Sequence, residues 1–144
     1  MSEKSRDPLR PIRDFLYQVR DGHREIMNLE NRIALRRHVL EMNCGDEMEK
    51  LITRKEIEEM ESNLNGKKRV LASTVLNVSD MISRLHDINQ QMVLTYRYIN
   101  MISDWNVIAD KMGMRKAAVQ KIHGRALPIL QKALLKLENV GQCY

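Results

Sequence analysis

Apolar residues recur along the first third of the chain at spacings that alternate between three and four residues. The pattern runs from Pro11 to about Met42, with faults at Gly22 and Arg36. It predicts one long α-helix with a single apolar stripe. At about 1.5 Å per residue this helix would be roughly 45 Å long, too long to bury its stripe in a small globule, so we expect a partner helix. The stripe consists of Ile12, Phe15, Leu16, Val19, Ile26, Leu29, Ile33 and Leu40.

A second helical pattern occupies residues 47–85. Just before it, Gly45 suits a left-handed helix cap and Asp46 suits an N-cap, so the first helix is expected to end there. The run Asn65–Arg69 interrupts the apolar pattern, and the sequence leaves open whether this stretch forms one helix or two. The simplest arrangement is an antiparallel helical hairpin over residues 11–85. A homodimeric coiled coil has the same pattern. The sequence therefore leaves open whether the apolar stripe packs within one chain or forms the seam of a dimer.

The spacing of small and apolar residues becomes more specific within residues 94–127. Asp104, or Ser103 before it, is suited to cap a short helix that would end at Gly113, where the turn can use a positive φ. Ala109 is a small residue before this turn, and Val119 after it is expected to face inward. Together they complete the pattern of a helix-turn-helix. Trp105 is expected in its core rather than as an exposed stacking platform. The expected core positions are Trp105, Ile108, Ala109, Gly113, Val119 and Ile122.

The second helix of this motif is predicted to begin near Arg115 or Lys116. Its exposed first turns carry long hydrogen-bond donors, and in a helix-turn-helix these turns enter the major groove of double-stranded DNA. Ala117 leaves room for close approach to a base. His123, expected at the surface, and Arg125 and Lys132 lie farther along and would meet phosphate. The candidate DNA-binding residues are Arg115, Lys116, Ala117, Gln120, Lys121, His123 and Arg125.

Composition favours an all-α protein. The 144 residues include ten Met but only one Phe, one Trp, three Pro and six Gly, a bias that favours helices over sheets. We predict a flexible N terminus at residues 1–10 and a long helical hairpin or coiled coil at residues 11–85, for dimerisation or partner binding. A C-terminal helix-turn-helix DNA-binding domain is predicted at residues 86–140.

The placement of charge supports a nucleic-acid-binding end. The net charge is +5, and residues 96–144 hold eight Lys or Arg against three Asp or Glu, so this third carries the whole positive excess. The N terminus is charged, and no apolar run approaches the roughly 18 residues that a membrane-spanning helix needs. We therefore expect a cytoplasmic protein without a membrane partner.

Sequence motifs for catalysis or metal binding are absent. The chain has no Gly-rich phosphate loop and no nucleophile elbow, and its four His lack Cys or carboxylate partners at ligand spacing. Cys44 and Cys143 lie far apart, so we interpret both as incidental thiols. We expect no enzyme activity, no cofactor and no metal.

Several short runs within residues 94–127 match a known family. These are RYI at 97–99, Ser-Asp-Trp-x-x-Ile-Ala at 103–109, Met112-Gly113, Val119-Gln120, and HGRAL at 123–127. They resemble region 4 of the sigma-70 family and, more closely, the phage late-gene transcription activators of the ArpU and RinA type. The resemblance covers about a quarter of the chain. It implies a regulator, an activator of late genes in phages or prophages of Gram-positive bacteria, with bacterial RNA polymerase as a partner.

The sequence departs from this family at its turns. Asn100-Met101 stands where the family usually has an acidic residue and Gly, and one extra residue lies before Trp105. Pro128 directly follows HGRAL, where the last helix of the family commonly runs on. We therefore expect the recognition helix to kink or stop at Pro128, with a short further turn or helix after it.

The alternative function is a helical adaptor that binds RNA polymerase or another protein without touching DNA. The acidic stretch Glu56–Glu61 is interpreted as a solvated face, and a contact with a basic surface of RNA polymerase is a further hypothesis for it. Charge reversal at Lys116 and Lys121 separates the two functions, because only a DNA reader needs these cations at that place.

Overall fold

The computed structural model of the protein describes residues 7–43 and 45–142. Every regular element in these ranges is helical, which confirms the all-α expectation. None of the helices described is long and apolar enough to cross a membrane. Cys44 and Cys143, interpreted above as incidental thiols, lie outside the described residues. The elements are α1 (Arg10–Glu41), α2 (Glu47–Ile82), α3 (Ile88–Leu94), a π-helical turn (Thr95–Ile99), α4 (Trp105–Met112) and α5 (Lys116–Gln142).

The connection between α1 and α2 has the predicted caps. Gly45 adopts a φ of 91°, and the Asp46 carboxylate accepts a hydrogen bond from the Glu49 backbone N–H at 2.8 Å. The sequence left one helix or two open for residues 47–85, and the structure has the single helix α2, which continues through Asn65 and Gly66. A Gly inside a helix costs only about 1 kcal/mol, too little to break a helix of this length.

The start of α1 is tied to α5. The Asp7 carboxylate accepts a hydrogen bond from the Leu9 backbone N–H at 3.0 Å. The Gln131 side chain accepts from the Ile12 backbone N–H at 3.2 Å and donates to the Pro8 carbonyl. Of the expected flexible terminus at residues 1–10, residues 1–6 lie outside the described residues, whereas residues 7–10 belong to this hydrogen-bonded start.

Two compact units divide the chain, and their boundary falls inside α1 and α2. The described parts of Met1–Arg20 and Thr74–Tyr144 form one unit, here called the terminal unit. Asp21–Ser73 form the other, the central unit. The sequence placed a boundary after residue 85 instead, because the apolar pattern resumes after Asn65–Arg69 and continues to Leu85.

The central unit consists of α1 and α2 segments that pack through one apolar stripe. Three ion pairs flank this stripe, namely Glu25 with Lys67 at 3.1 Å, Arg37 with Glu61 at 2.6 Å, and Arg36 with Glu56. The core of the unit is Leu29, Ile33, Ile57 and Met60, with Leu40 and Leu64 packed against it. The predicted inward positions of α1 in this unit are therefore confirmed as buried or half-buried.

In the terminal unit, α5 does not stop at Pro128, so the expected stop with a separate turn or helix after it is wrong. The helix runs from Lys116 to Gln142 with Pro128 inside it. Proline costs a helix interior about 3 kcal/mol through a lost hydrogen bond and a ring clash. Leu127 and Leu130 flank the proline and are almost fully buried. Burial of each such side chain contributes about 1.5 to 3 kcal/mol, which offsets the cost of continuing the helix.

Candidate nucleic-acid interface

α4 is a short helix with defined ends. The Asp104 side chain accepts a hydrogen bond from the Asn106 backbone N–H at 2.9 Å, as expected for an N-cap. Gly113 ends the helix with a φ of 64° and ψ of 34°, in the left-handed region. The Met114 backbone N–H then donates to the Ala109 carbonyl at 3.0 Å. Both predicted caps of α4 are confirmed, and they set the direction in which the chain enters α5.

The six predicted core positions gather around this turn. Ile108 and Val119 are fully buried and Ala109 is nearly so, while Trp105 and Ile122 pack against them half-buried. Gly113 is exposed at the turn itself. Val93 of α3 completes the buried cluster, and four further side chains pack on its edge: Tyr96, Ile102, Met112 and Met114. The small side chain of Ala109 lets α4 and α5 approach closely.

The first turns of α5 expose a row of donors. Lys116, Gln120 and Lys121 are exposed, as is Arg115 just before the helix and Arg125 one turn beyond Lys121. Within the described residues, none of these five side chains has a hydrogen bond or an ion pair. Two exposed small residues, Ala117 and Gly124, lie on the same side of the helix. This surface is called the α5 donor face below, and its geometry permits a polyanion to approach the helix backbone closely.

His123 is half-buried, not exposed as the sequence led us to expect. Its Nε2 lies 2.6 Å from the Tyr98 hydroxyl. The imidazole also meets the Trp105 ring edge-on, with centroids 4.9 Å apart, and Tyr17 of α1 contacts the Tyr98 ring edge-on at 5.6 Å. His123 therefore joins α5 to α4 and to the π-helical turn rather than extending toward a ligand.

Burial controls the protonation of this pair. Desolvation, followed by the positive charges of Arg97 and Arg13, lowers the pKa of His123 to about 4. Desolvation also raises the pKa of Tyr98 to about 12. At neutral pH this hydrogen bond therefore joins a protonated tyrosine hydroxyl to a neutral imidazole, and the imidazole tautomer sets which of the two donates. A neutral His123 lacks the charge that attracts phosphate, which weakens its candidacy as a DNA contact.

Arg97 is a structural residue of this region that the sequence reasoning did not single out. Its guanidinium carbon lies 4.3 Å from the centroid of the Trp105 ring. Its Nη1 donates to the Ser103 carbonyl and, at 3.5 Å, to the Ile102 carbonyl. The arginine thereby holds the segment that leads into α4. The run RYI at residues 97–99 contained this residue, but the spacing gave no sign that it stacks on the tryptophan.

Two backbone irregularities lie between α3 and α4. The Asn100 backbone N–H donates to the Thr95 carbonyl at 2.9 Å, a π-helical bond that spans five residues. Met101 follows with a φ of 57°, in the left-handed region that Gly adopts with less strain. Together they set the path of the chain from the π-helical turn toward Trp105.

No family model, no curated protein and no solved structure matches the chain. Within the described ranges, no group of three or more His, Cys, Asp or Glu side chains is arranged to hold a metal ion.

Proposed function

We propose that this protein is a DNA-binding transcription regulator that reads double-stranded DNA through the α5 donor face. The observation that carries the proposal is a set of five exposed donors along the N-terminal third of α5 and just before it, which have no partner among the residues that the structure describes. Behind them, α4 and the left-handed turn at Gly113 support α5 in the manner of a helix-turn-helix. The positive excess of residues 96–144 supplies the attraction to phosphate.

The residues of the α5 donor face have distinct expected roles. Arg115, Lys116 and Gln120 lie at the amino-terminal turns, which reach base edges when such a helix enters the major groove. Lys121 directly follows Gln120 and Arg125 lies one turn beyond Lys121, and both contact the flanking phosphates. Ala117 and Gly124 lack long side chains, so the helix can lie deep in the groove. His123 positions α5 through Tyr98 and Trp105 and does not contact DNA itself.

Fluorescence anisotropy of the full chain tests DNA binding. The purified protein is titrated onto its own upstream DNA and onto a scrambled duplex of equal length, at several salt concentrations. We expect preference for the upstream DNA and an affinity whose logarithm falls linearly with the logarithm of the salt concentration. No binding to either duplex at low salt would exclude the DNA-reading function.

Single substitutions sharpen this test. Lys121→Gln is expected to reduce the slope of log affinity against log salt concentration by about 1. It should weaken binding to both duplexes equally. Arg115→Ala is expected to weaken binding to the upstream DNA by about 1 to 3 kcal/mol and to reduce the sequence preference at one base pair. Lys55→Gln serves as a matched control, because Lys55 is an exposed helical lysine of the central unit. An effect of Lys55→Gln equal to that of Lys121→Gln would show only general charge attraction.

We further propose that the central unit pairs with a second copy of the chain. Two exposed apolar stripes flank its connection, one at the end of α1 and one at the start of α2. Large apolar side chains that stay exposed favour association, because a second copy that covers them removes them from water. The stripes are Leu35, Val39, Met42, Met48, Leu51 and Ile52, all exposed by more than two fifths.

Light scattering of the protein over a range of concentrations tests this pairing. We expect a dimer, and we expect Leu35→Glu to shift the protein toward monomer. Met27→Glu is the control, since Met27 is as exposed as Leu35, at 61% against 64%, and lies outside the stripes. A monomer at every concentration, or equal effects of the two substitutions, would contradict pairing through this surface.

The sign of regulation rests on the resemblance alone. We propose activation of phage or prophage late genes in a bacterial host, with RNA polymerase as a further partner. A reporter driven by the upstream promoter is expected to respond to the protein and to lose its response with Lys116→Glu and Lys121→Glu. The exposed stripes of the central unit also favour the second candidate, an adaptor that binds protein without DNA. An adaptor would keep its partner after those charge reversals and lose it after Leu35→Glu.

A further inference from the structure

A groove in the terminal unit combines positive charge with exposed apolar side chains. It lies between the residues that follow α2 and the C-terminal half of α5, and its volume is about 450 Å³. It is called the basic groove here. Its lining consists of Arg84, Ile129, Lys132, Ala133, Lys136 and Leu137.

The cations of the basic groove lack partners. Among the described residues, no ion pair joins Arg84, Lys132 or Lys136 to any carboxylate. The acidic residues nearest to them in sequence, Asp80, Asp87 and Glu138, form none with them. Lys132 and Lys136 are four residues apart on one face of α5, where like charges repel. A bound carboxylate ligand relieves this repulsion.

The apolar side chains of the basic groove indicate which polyanion fits. Ile129 is 49% exposed and Leu137 is 43% exposed, although both are large. A phosphate backbone offers no apolar surface to cover them, whereas a helix with acidic residues on one side and leucines on the other covers both features at once. We propose that the basic groove binds an acidic amphipathic helix of another protein.

This site is separate from the first turns of α5, although Arg125 of the α5 donor face lies one turn before Ile129. Lys132 follows Lys116 by sixteen residues, so the two lie about 24 Å apart along the helix axis. An occupant of the basic groove therefore leaves the first turns of α5 free. The inference does not depend on the proposed DNA binding, because its test measures peptide affinity in the absence of DNA.

The test uses the full chain and two fluorescein-labelled synthetic helices. One carries Leu at helical spacings of three and four with Glu elsewhere, and the other carries Gln in place of every Glu. Fluorescence anisotropy is expected to show binding of the acidic helix and at least about tenfold weaker binding of the Gln helix. No binding of the acidic helix at low salt, or equal binding of both, would overturn the proposal.

Matched variants locate the binding site. Two variants are each expected to weaken binding of the acidic helix at least about tenfold. They are the double variant Lys132→Gln/Lys136→Gln and the single variant Ile129→Asn. Leu135→Asn is the control, because Leu135 is exposed to a similar degree, 41%, on the same helix but does not line the groove. The proposal is overturned if Leu135→Asn is equally damaging or if Ile129→Asn has no effect. It is also overturned if the double variant keeps its affinity for the acidic peptide but weakens DNA binding as much as Lys121→Gln does. In that case the basic groove binds phosphate instead of an acidic helix.

Discussion

The terminal and central units differ in how completely they exclude water. Within the described residues, every large side chain that is less than 2% exposed lies in the terminal unit. In the central unit, the core residues range from Ile33 at 4% to Met60 at 9%. A pair of helices covers each apolar stripe from one side only, whereas several helices close a core from all sides.

This difference indicates how the two units divide their work. Transcription-factor helices read DNA only when a rigid support positions them, and the proposed reading helix belongs to the well-packed terminal unit. The central unit is less completely buried and exposes six large apolar side chains around the α1–α2 connection. It is therefore the unit that gains most from a partner.

The largest expected effect comes from equal truncations in the two cores. Leu130→Ala in the terminal unit, where Leu130 is fully buried, is expected to lower the free energy of unfolding by about 3 to 5 kcal/mol. Leu29→Ala in the central unit, at 5% exposure, should cost only about 2 to 3 kcal/mol, because water and relaxation of two helices fill the space.

Urea unfolding measures both changes. Trp105 is the only tryptophan and lies in the terminal unit, so its fluorescence reports that unit, while far-UV circular dichroism reports all helices. Leu130→Ala should shift the fluorescence transition, and Leu29→Ala should shift the circular dichroism signal more than the fluorescence. If both truncations lower the free energy of unfolding by the same amount with both probes, the difference in packing between the units causes no difference in stability.

The next effect is a dependence of the terminal unit on pH. The pKa of His123 falls from an ordinary 6.5 to about 4 on folding. The unfolded chain therefore binds the proton more readily, and stability is complete above pH 6.5 and lost as the pH falls toward 4. We expect a loss of about 1 to 3 kcal/mol over this window, followed through Trp105 fluorescence.

A substitution isolates the histidine. His123→Asn removes the titrating group, so its stability should change less between pH 7 and pH 4 than that of the parent chain, whatever its stability at neutral pH. His86→Asn is the control, because His86 is exposed. An unchanged pH slope in His123→Asn would mean that another group carries the acid sensitivity.

Two glycines of the terminal unit test the backbone that leads into and through α5. A Cβ at either Gly113 or Gly124 would meet no atom within 4 Å, so alanine there changes only backbone energetics. At Gly113 the φ of 64° makes Ala unfavourable, and Gly113→Ala should destabilise by about 1 to 2 kcal/mol. At Gly124, inside α5, Ala should stabilise by about 0.5 to 1 kcal/mol. Thermal unfolding that shows the same sign for both would contradict the assigned backbone roles.

Local patterns in the sequence predicted much of this architecture. The stripe of α1, the caps at Asp46 and Asp104, and the left-handed turn at Gly113 were confirmed, because each depends on residues within a few positions of one another. The continuation of α5 through Pro128 was not predicted, because the burial that supports it comes from distant helices.

The candidate site was predictable to a similar extent. The exposure of Arg115, Lys116, Gln120 and Lys121 follows from helical periodicity once Val119 is placed inward. The hydrogen bond between Tyr98 and His123 joins residues 25 positions apart, so no local spacing could reveal it. The π-helical turn at Thr95–Ile99 was not predicted either. Long-range contacts and backbone irregularities were thus not predictable from the sequence. Both involve residues that support α5 and not the exposed residues of the α5 donor face.

The smallest effect concerns the ion pairs of the central unit. Arg37 and Glu61 lie 2.6 Å apart but are 56% and 45% exposed, so solvent screens their attraction. A double-mutant cycle with Arg37→Gln and Glu61→Gln should give a coupling of about 0.2 to 1 kcal/mol that declines as salt is added. Arg32→Gln is the control, since Arg32 is an exposed arginine of the same helix without an ion pair in the described ranges. A larger coupling that survives high salt would mean that charge, not the apolar stripe, holds the central unit together, and the contrast with the terminal unit would then be one of chemistry rather than of packing.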